Sequence, residues 1–377
     1  MNVLHLIGPD YPASALFGLR CACRPPTPTG RPPRAAAFDA RSARRWSALL
    51  GVTVEPLAAT ARLAHLSGAS WLAGPALRRL RGRSGFDLLH AWGIDAAAAC
   101  RAVPEFPSVV TLERAPTERD ARRMRIMLAP SMPIIVAAQA TRRRLAEVGI
   151  DPRRCVVIRP PIDFRAVNDA RAARSRDRVA PPTEGPIILT TGPASRGGGQ
   201  FVAAWAAGMV STVHTGLRIV VPFESAERER IRAFLRAVGF GNLWLNPPRE
   251  WGWPELTAAS DAMLDASAEE GPIEPLAWAM ASGVPIAASA IRSTTELIAD
   301  HHNGLLCRTA EPHPVARVLL RLVDDAALRR KLADTARGQA YEVFSVREYC
   351  DNVRRLHENV LAGRAADEGV RDTAMAG

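Results

Sequence analysis

Short runs of apolar, often β-branched residues recur along this chain, and each is followed by a longer amphipathic or charged stretch. A short apolar run suits a strand buried on both faces, and the stretch between runs can carry the chain over and back in the same direction. The pattern therefore predicts parallel sheets covered by helices, wound in both directions from the middle. In the first half the expected strands are Val3 to Ile7, Leu88 to Ala91, Ser108 to Leu112, Pro133 to Ala137 and Cys155 to Ile158. The second half repeats the arrangement at Ile187 to Thr191, Leu217 to Val221, Leu243 to Leu245, Ala262 to Leu264 and Pro285 to Ala288.

With 377 residues the chain is too long for one core, so two α/β domains are expected. Residues 1–165 form the first, and a charged, proline-rich stretch at 166–186 reads as the linker. The second domain covers 187–343. Ser345-Val346-Arg347-Glu348 is a capping box, and apolar residues at Val346, Tyr349, Val353, Leu356 and Val360 mark a terminal helix within 344–363. Residues 364–377 are small and charged and are expected to be disordered.

The net charge of +11 raises nucleic acid and anionic membrane as partners. Lys331 is the only lysine, so the excess is arginine, and no nucleic-acid motif accompanies it. Nucleic acid is not expected; phosphate-bearing substrates or a peripheral contact with an anionic membrane face fit the charge. The six cysteines lack metal-ligand spacing and read as reduced thiols. Val3 to Ile7 opens the chain without a basic leader, and no run reaches the ~20 apolar residues of a membrane span, so a cytoplasmic location is expected. No GxSxG element supports a hydrolase.

The most informative stretch runs Ser267-Ala268-Glu269-Glu270-Gly271-Pro272-Ile273-Glu274-Pro275-Leu276-Ala277-Trp278-Ala279-Met280-Ala281-Ser282-Gly283-Val284-Pro285. An acidic loop enters a helix near Pro272, and the helix leaves through Gly283 into a strand. Unpaired N–H groups and the positive dipole end at that helix start suit a diphosphate, and a carboxylate beside it suits sugar hydroxyls. Ordinary helix capping accounts for the same residues, and physics alone leaves both readings open.

This stretch resembles the signature of family 4 glycosyltransferases through Ser267, Glu270, Gly271, Ala279, Met280, Ala281, Gly283 and Pro285. Glu296-Leu297-Ile298, Asn303-Gly304-Leu305-Leu306 and Arg159-Pro160-Pro161-Ile162-Asp163 extend the resemblance over most of the chain. It implies an α/β GT-B fold, two Rossmann-like domains facing across a cleft, with the terminal helix returning to the first. It also implies transfer of a sugar, with retention and without a metal or other cofactor, from a nucleotide-diphosphate donor to a saccharide or lipid-linked acceptor in cell-surface polysaccharide or glycolipid synthesis. Glu270 would be the catalytic carboxylate. Gly192, Arg196 and Gly197 would hold donor phosphates, aided by Gly271, Pro272 and Ile273.

Several family positions differ. Pro193 replaces a phosphate-binding cation, Trp278 the ribose-binding acid, Arg292-Ser293 a Gly-Gly pair, Pro12-Ala13-Ser14-Ala15 a glycine-rich turn, and Glu113 a histidine. If one helix carried Glu270, Glu274 and Trp278, their spacing of four would put them on one face. Glu274 could then take the ribose while Trp278 stacks on the base or packs against the wall; alternatively Glu274 caps and Trp278 is core. Gly197-Gly198-Gly199 is either a flexible turn or a phosphate cradle. His90 and Glu113 are candidates for the acceptor cleft, His90 being equally a packed strand-end residue, and His301-His302 reads as a turn. The substitutions also admit an inactive scaffold acting as a binding or regulatory subunit; an epimerase reading lacks an additional acid–base pair.

Overall fold

The computed structural model describes residues 1–9, 11, 15–23, 34–57, 73–112, 118–173, 185–192, 199–222 and 227–371, with 118–121 as backbone. The chain divides into two compact units, Met1–Pro161 with Val346–Asp372, and Ile162–Ser345.

The first unit holds β1 (Val3–Ile7), β2 (Arg34–Ala37), β3 (Val54–Pro56), β4 (Leu88–Trp92), β5 (Ser108–Leu112), β6 (Ile134–Val136) and β7 (Cys155–Val157) in one sheet, ordered β3-β2-β1-β4-β5-β6-β7. Every pairing is parallel. The helices between them are α1 (Leu16–Ala22), α2 (Ala40–Leu50), α3 (Gly74–Ser84), α4 (Ile94–Arg101), α5 (Glu118–Met127) and α6 (Gln139–Glu147). The terminal helix, Val346–Leu361, does return to this unit: Tyr349, Val353 and Leu356 pack on Leu88, Val109, Ile135 and Val156. Their spacing of four and three residues builds one apolar stripe.

In the second unit β8 (Ile187–Thr191), β9 (Arg218–Val220), β10 (Trp244–Leu245), β11 (Ala262–Asp265), β12 (Ile286–Ser289) and β13 (Leu305–Cys307) are ordered β10-β9-β8-β11-β12-β13, again all parallel. Its helices are α7 (Phe164–Ala172), α8 (Gln200–Ser211), α9 (Arg228–Ala237), α10 (Trp253–Ala258), α11 (Glu274–Ser282), α12 (Arg292–Thr295), α13 (Pro312–Asp324) and α14 (Ala326–Val343). The buried face of α8 is made of Ala203, Ala204, Ala206 and Ala207, short side chains that let it sit close to its neighbours. In both sheets the chain starts in the middle and winds outward both ways. Strand order reverses at β1/β4 and at β8/β11, and ligands of such sheets bind at the carboxyl ends there.

Three expectations need correction. Residues 166–172, assigned to the linker, belong to helix α7: the Asp163 carboxylate accepts the Ala166 N–H at 3.1 Å and Val167 and Ala170 are buried. Arg171 donates to the Ser282 carbonyl at 3.3 Å, tying this helix to α11. Residues 364–371 are not disordered. Asn352 bonds the backbone of Arg371 through both its amide groups, at 3.0 and 3.1 Å, Asn359 donates to the Glu368 carbonyl at 2.8 Å, and Ala366 and Val370 pack against the terminal-helix cluster. Strand β2, Arg-Ala-Ala-Ala, has no counterpart among the expected strands because alanine does not favour a strand; pairing with β1 and β3 on either side imposes it.

Candidate functional site

The carboxyl ends of β8 and β11 meet in register, with Thr191 opposite Asp265. Beyond β8 the chain reaches Gly192, and α8 begins at Gln200 after Gly199. Gly199 has φ +73, and a Cβ placed on it would stand 2.0 Å from the Ala266 carbonyl oxygen and 2.5 Å from the Ser267 nitrogen. Only glycine fits a backbone that is both left-handed and in contact with the signature loop. The Gln200 side chain donates to the Gly192 carbonyl at 3.2 Å, joining the two ends of the connection. Gly199, as N-cap, has no side chain to cap α8, and it sets the start of this 12-residue helix, with its positive dipole end, beside Ala266 and Ser267.

Asp265 ends β11 fully buried. Its Oδ1 accepts the Ser267 N–H at 3.0 Å and the Ser267 hydroxyl, fixing the turn that starts the acidic loop. Burial pushes the Asp265 pKa above the usual carboxylate range, while the two Ser267 bonds pull it down.

Glu270 lies half-buried at the end of this loop. Its Oε1 accepts the Arg292 N–H at 3.2 Å and its Oε2 the Ser293 N–H at 2.8 Å. One carboxylate thus clamps the acidic loop to the turn after β12. The two donors are backbone groups, so replacing Gly-Gly by Arg292-Ser293 keeps them. Each carboxylate oxygen has a further lone pair with which to accept from a ligand hydroxyl.

Helix α11 starts at Glu274, four residues after Glu270, so Glu270 does not share the helical face of Glu274 and Trp278. Trp278 is only 5% exposed, and its indole N–H donates to Glu274 Oε1 at 3.4 Å. The tryptophan is therefore a wall residue, with Glu274 holding its N–H, and base stacking by Trp278 is not what this geometry offers. Gly271 and Pro272 are half-buried between Glu270 and the helix, Ile273 is buried as its N-cap, and Gly283 closes it at φ +65. Arg196, Gly197, Pro193 and Glu113 lie outside the described residues, as does most of the 12–15 turn.

His90 does not line an open cleft. It is fully buried at the centre of the first unit, stacked on Trp92 at 4.3 Å between ring centres. Its Nε2 lies 2.8 Å from Thr111 Oγ1 and its Nδ1 3.0 Å from His357 Nε2 on the terminal helix. His5 joins the cluster, accepting the Trp92 indole N–H at Nδ1 over 3.1 Å. Burial holds all three histidines neutral, with His5 lowered to about 3, His357 to about 4 and His90 well below its ordinary value. His301 and His302 form the expected turn: both are exposed, His301 sits at φ +61, and Asn303 ties the turn to Ala299 and Leu297.

Sequence reasoning missed Asp265 and Gln200. The polar residue ending the apolar run Ala262-Met263-Leu264 was a readable signal for the first; nothing local marks the second. Among the described residues, no group of three or more His, Cys, Asp or Glu could hold a metal ion, and no helix is long and apolar enough to cross a membrane. All six cysteines are free thiols.

Comparison with known proteins bears on the same region. Residues 253–339, which contain the acidic loop, α11 and the Glu270 clamp, match the family described as Glycosyl transferases group 1. A D-inositol 3-phosphate glycosyltransferase of Acidothermus cellulolyticus is 25% identical over 306 residues, 78% of this chain and 66% of the relative, so the chain spans about two thirds of that protein. An MMP alpha-(1->4)-mannosyltransferase of Mycolicibacterium hassiacum is 33% identical over 112 residues, 29% of this chain and 27% of the relative. Among solved structures, the Anabaena protein HepE in complex with UDP-glucose aligns with a TM-score of 0.77 at 17% identity, covering 95% of this chain and 100% of its own. The fold is that of the GT-B glycosyltransferases.

Proposed function

We propose that this protein is a retaining glycosyltransferase that takes its sugar from a nucleotide-diphosphate donor bound at the β8/β11 switch point. One observation carries the reading: Gly199 brings the start of α8 against Ser267, in the loop whose end holds Glu270. A helix N-terminus suits the diphosphate, and a half-exposed carboxylate in the same loop suits sugar hydroxyls. The group 1 match over this segment and the UDP-glucose bound to HepE support the same assignment.

In the proposed reaction the bond from the anomeric carbon to the diphosphate breaks, and the nucleoside diphosphate leaves with the electron pair. The acceptor hydroxyl oxygen forms the new bond, and its proton passes to the leaving group. Helix N–H groups, with Arg196 and Gly197 as further phosphate ligands and Gly192, Gly271, Pro272 and Ile273 shaping the cradle, offset the charge that develops there. No metal is required in this scheme. The first unit supplies the acceptor site, for a saccharide or lipid-linked hydroxyl, and the name of the Acidothermus relative makes an inositol phosphate a candidate worth including.

The test is product formation from UDP-, GDP- and ADP-sugars with saccharide, lipid and inositol phosphate acceptors, with and without EDTA. Transfer that survives EDTA and is abolished by Glu270→Gln supports the proposal. A second reading, an inactive scaffold serving as a binding or regulatory subunit, is favoured by Trp278 at the ribose position with its N–H already given to Glu274. Absence of binding to any of these nucleotides would select it.

A further inference from the structure

The whole charge excess of this protein lies in one unit. Residues 1–161 and 346–372 carry 29 arginines against 17 acidic residues, a net +12, whereas 162–345 carries 20 basic residues against 21 acidic. Genome composition would enrich arginine in both halves alike, so the asymmetry points to the surface of the first unit.

Within that unit, half of the excess lies along the α5–α6 edge. Between residues 122 and 154 eight arginines stand against two acids, Glu147 and Asp151. Glu147 is held by Arg144 at 3.1 Å, and the Asp151 carboxylate accepts the Arg153 backbone N–H at 2.9 Å. Arg122, Arg125, Arg143 and Arg153 are exposed, and none makes an ion pair among the described residues. On α5, Arg122, Arg125 and Ile126 share one face, opposite Met124 and Leu128, which are buried in the core. The Arg125 side chain reaches over Gly149, just beyond the end of α6, its Cδ 3.7 Å from where a Cβ there would stand, so the surface of α5 adjoins the end of α6. Amid these guanidinium groups Ile126 is 71% exposed, the most exposed large apolar side chain among the described residues.

We propose that this face docks the protein on an anionic lipid bilayer, with Arg122, Arg125, Arg143 and Arg153 on headgroup phosphates and Ile126 in the interfacial layer. Charge complementarity favours an anionic surface, and each arginine near such a surface adds an increment of attraction. The exposed isoleucine selects lipid over nucleic acid. An aliphatic side chain gains from entering the acyl boundary, whereas single-stranded nucleic acid is held by aromatic platforms, which this face lacks among its described residues. The inference stands independently of the transferase reading, since docking is measured without donor or acceptor.

The experiment is co-sedimentation of the full chain with vesicles of phosphatidylcholine alone or with about one third phosphatidylglycerol, at low and physiological salt. Partitioning onto the anionic vesicles is expected, weakened by salt as screened charge requires. The double variant Arg122→Glu/Arg125→Glu should partition at least about tenfold more weakly. Arg41→Glu/Arg44→Glu, an equal charge change at exposed positions of α2, should cost less than about threefold because it lies off the face. Ile126→Ser should weaken binding about threefold while leaving the salt slope intact. All these positions are on the surface, and thermal melts of the variants confirm folding. Equal affinity for zwitterionic vesicles, equal loss in both double variants, or tighter binding to duplex DNA that the α5 variant abolishes would each overturn the proposal.

Discussion

The two units share a strand order and differ in what they bury. In the first, the polar residues at the heart of the sheet are three neutral histidines sealed between β1, β4, β5 and the terminal helix. In the second, the buried carboxylate Asp265 is placed at the strand end where the sheet order reverses and is bonded into the loop that leads to Glu270. A topology repeated twice thus gives a sealed polar cluster in the core of one unit and a polar strand end at the switch point of the other.

The largest expected effect separates the units by pH. Unfolded histidine titrates near 6.5, and in the fold His5 and His357 are lowered to about 3 and about 4, with His90 also lowered. As pH falls below about 6.5 the unfolded chain takes up protons that the folded unit refuses, so stability is present above that value and lost on acidification. Each histidine that stays neutral in the fold contributes at most about 1.4 kcal/mol per pH unit to this loss. Asp265 has the opposite sign: its folded pKa is raised, so its contribution falls as pH rises through its unfolded value near 3.8 toward the folded one. Urea melts followed by hydrogen exchange should show the first unit yielding first below pH 6. His357→Gln should flatten that slope by about a third.

Glycine substitutions sharpen the contrast. Gly199→Ala meets both a left-handed backbone and the Ala266 carbonyl, and should cost about 3 kcal/mol or displace the signature loop. Gly51→Ala in the first unit, at φ +70 with nothing within 4 Å of the added Cβ, should cost about 1 kcal/mol. Equal losses in thermal melts would remove the case for close approach at Gly199. Glu270→Gln should lower transfer about 100-fold while changing stability by about 1 kcal/mol, because the amide oxygen still accepts one of the two backbone N–H groups. The smallest effect is expected for Glu274→Gln: its bond to the Trp278 indole is long at 3.4 Å, and nucleotide affinity should change by less than about twofold. A tenfold loss in calorimetry would restore Glu274 as a ribose ligand.

Much of the fold was readable because β1 and β8 are mostly valine, isoleucine and leucine, and β4 and β5 hold Leu-Leu and Val-Val pairs, at a length and spacing that admit little else. β2 was not, since three alanines carry no strand preference and the neighbours that pair with them lie far along the chain. Helix α7 was hidden by its alanines and charges, which resemble a linker until Asp163 caps them and α11 receives them. At the site, Glu270 was legible from the signature, but its partners were not, because they are backbone groups 22 and 23 residues away. The third glycine of Gly197-Gly198-Gly199 was ambiguous in sequence, and its close approach to Ala266 at a left-handed φ shows why that position needs glycine. His90 misled for a similar reason: the residue that seals it, His357, is 267 positions distant.

The claim that the second unit's switch point is the donor site is tested most directly by hydrogen exchange of the full chain with and without saturating UDP, GDP or ADP. The account predicts that one of these nucleotides slows exchange most strongly in peptides covering residues 199–203 and 265–274, and that Gly199→Ala removes the protection. No protection with any nucleotide, or protection confined to peptides of residues 1–161, would contradict it.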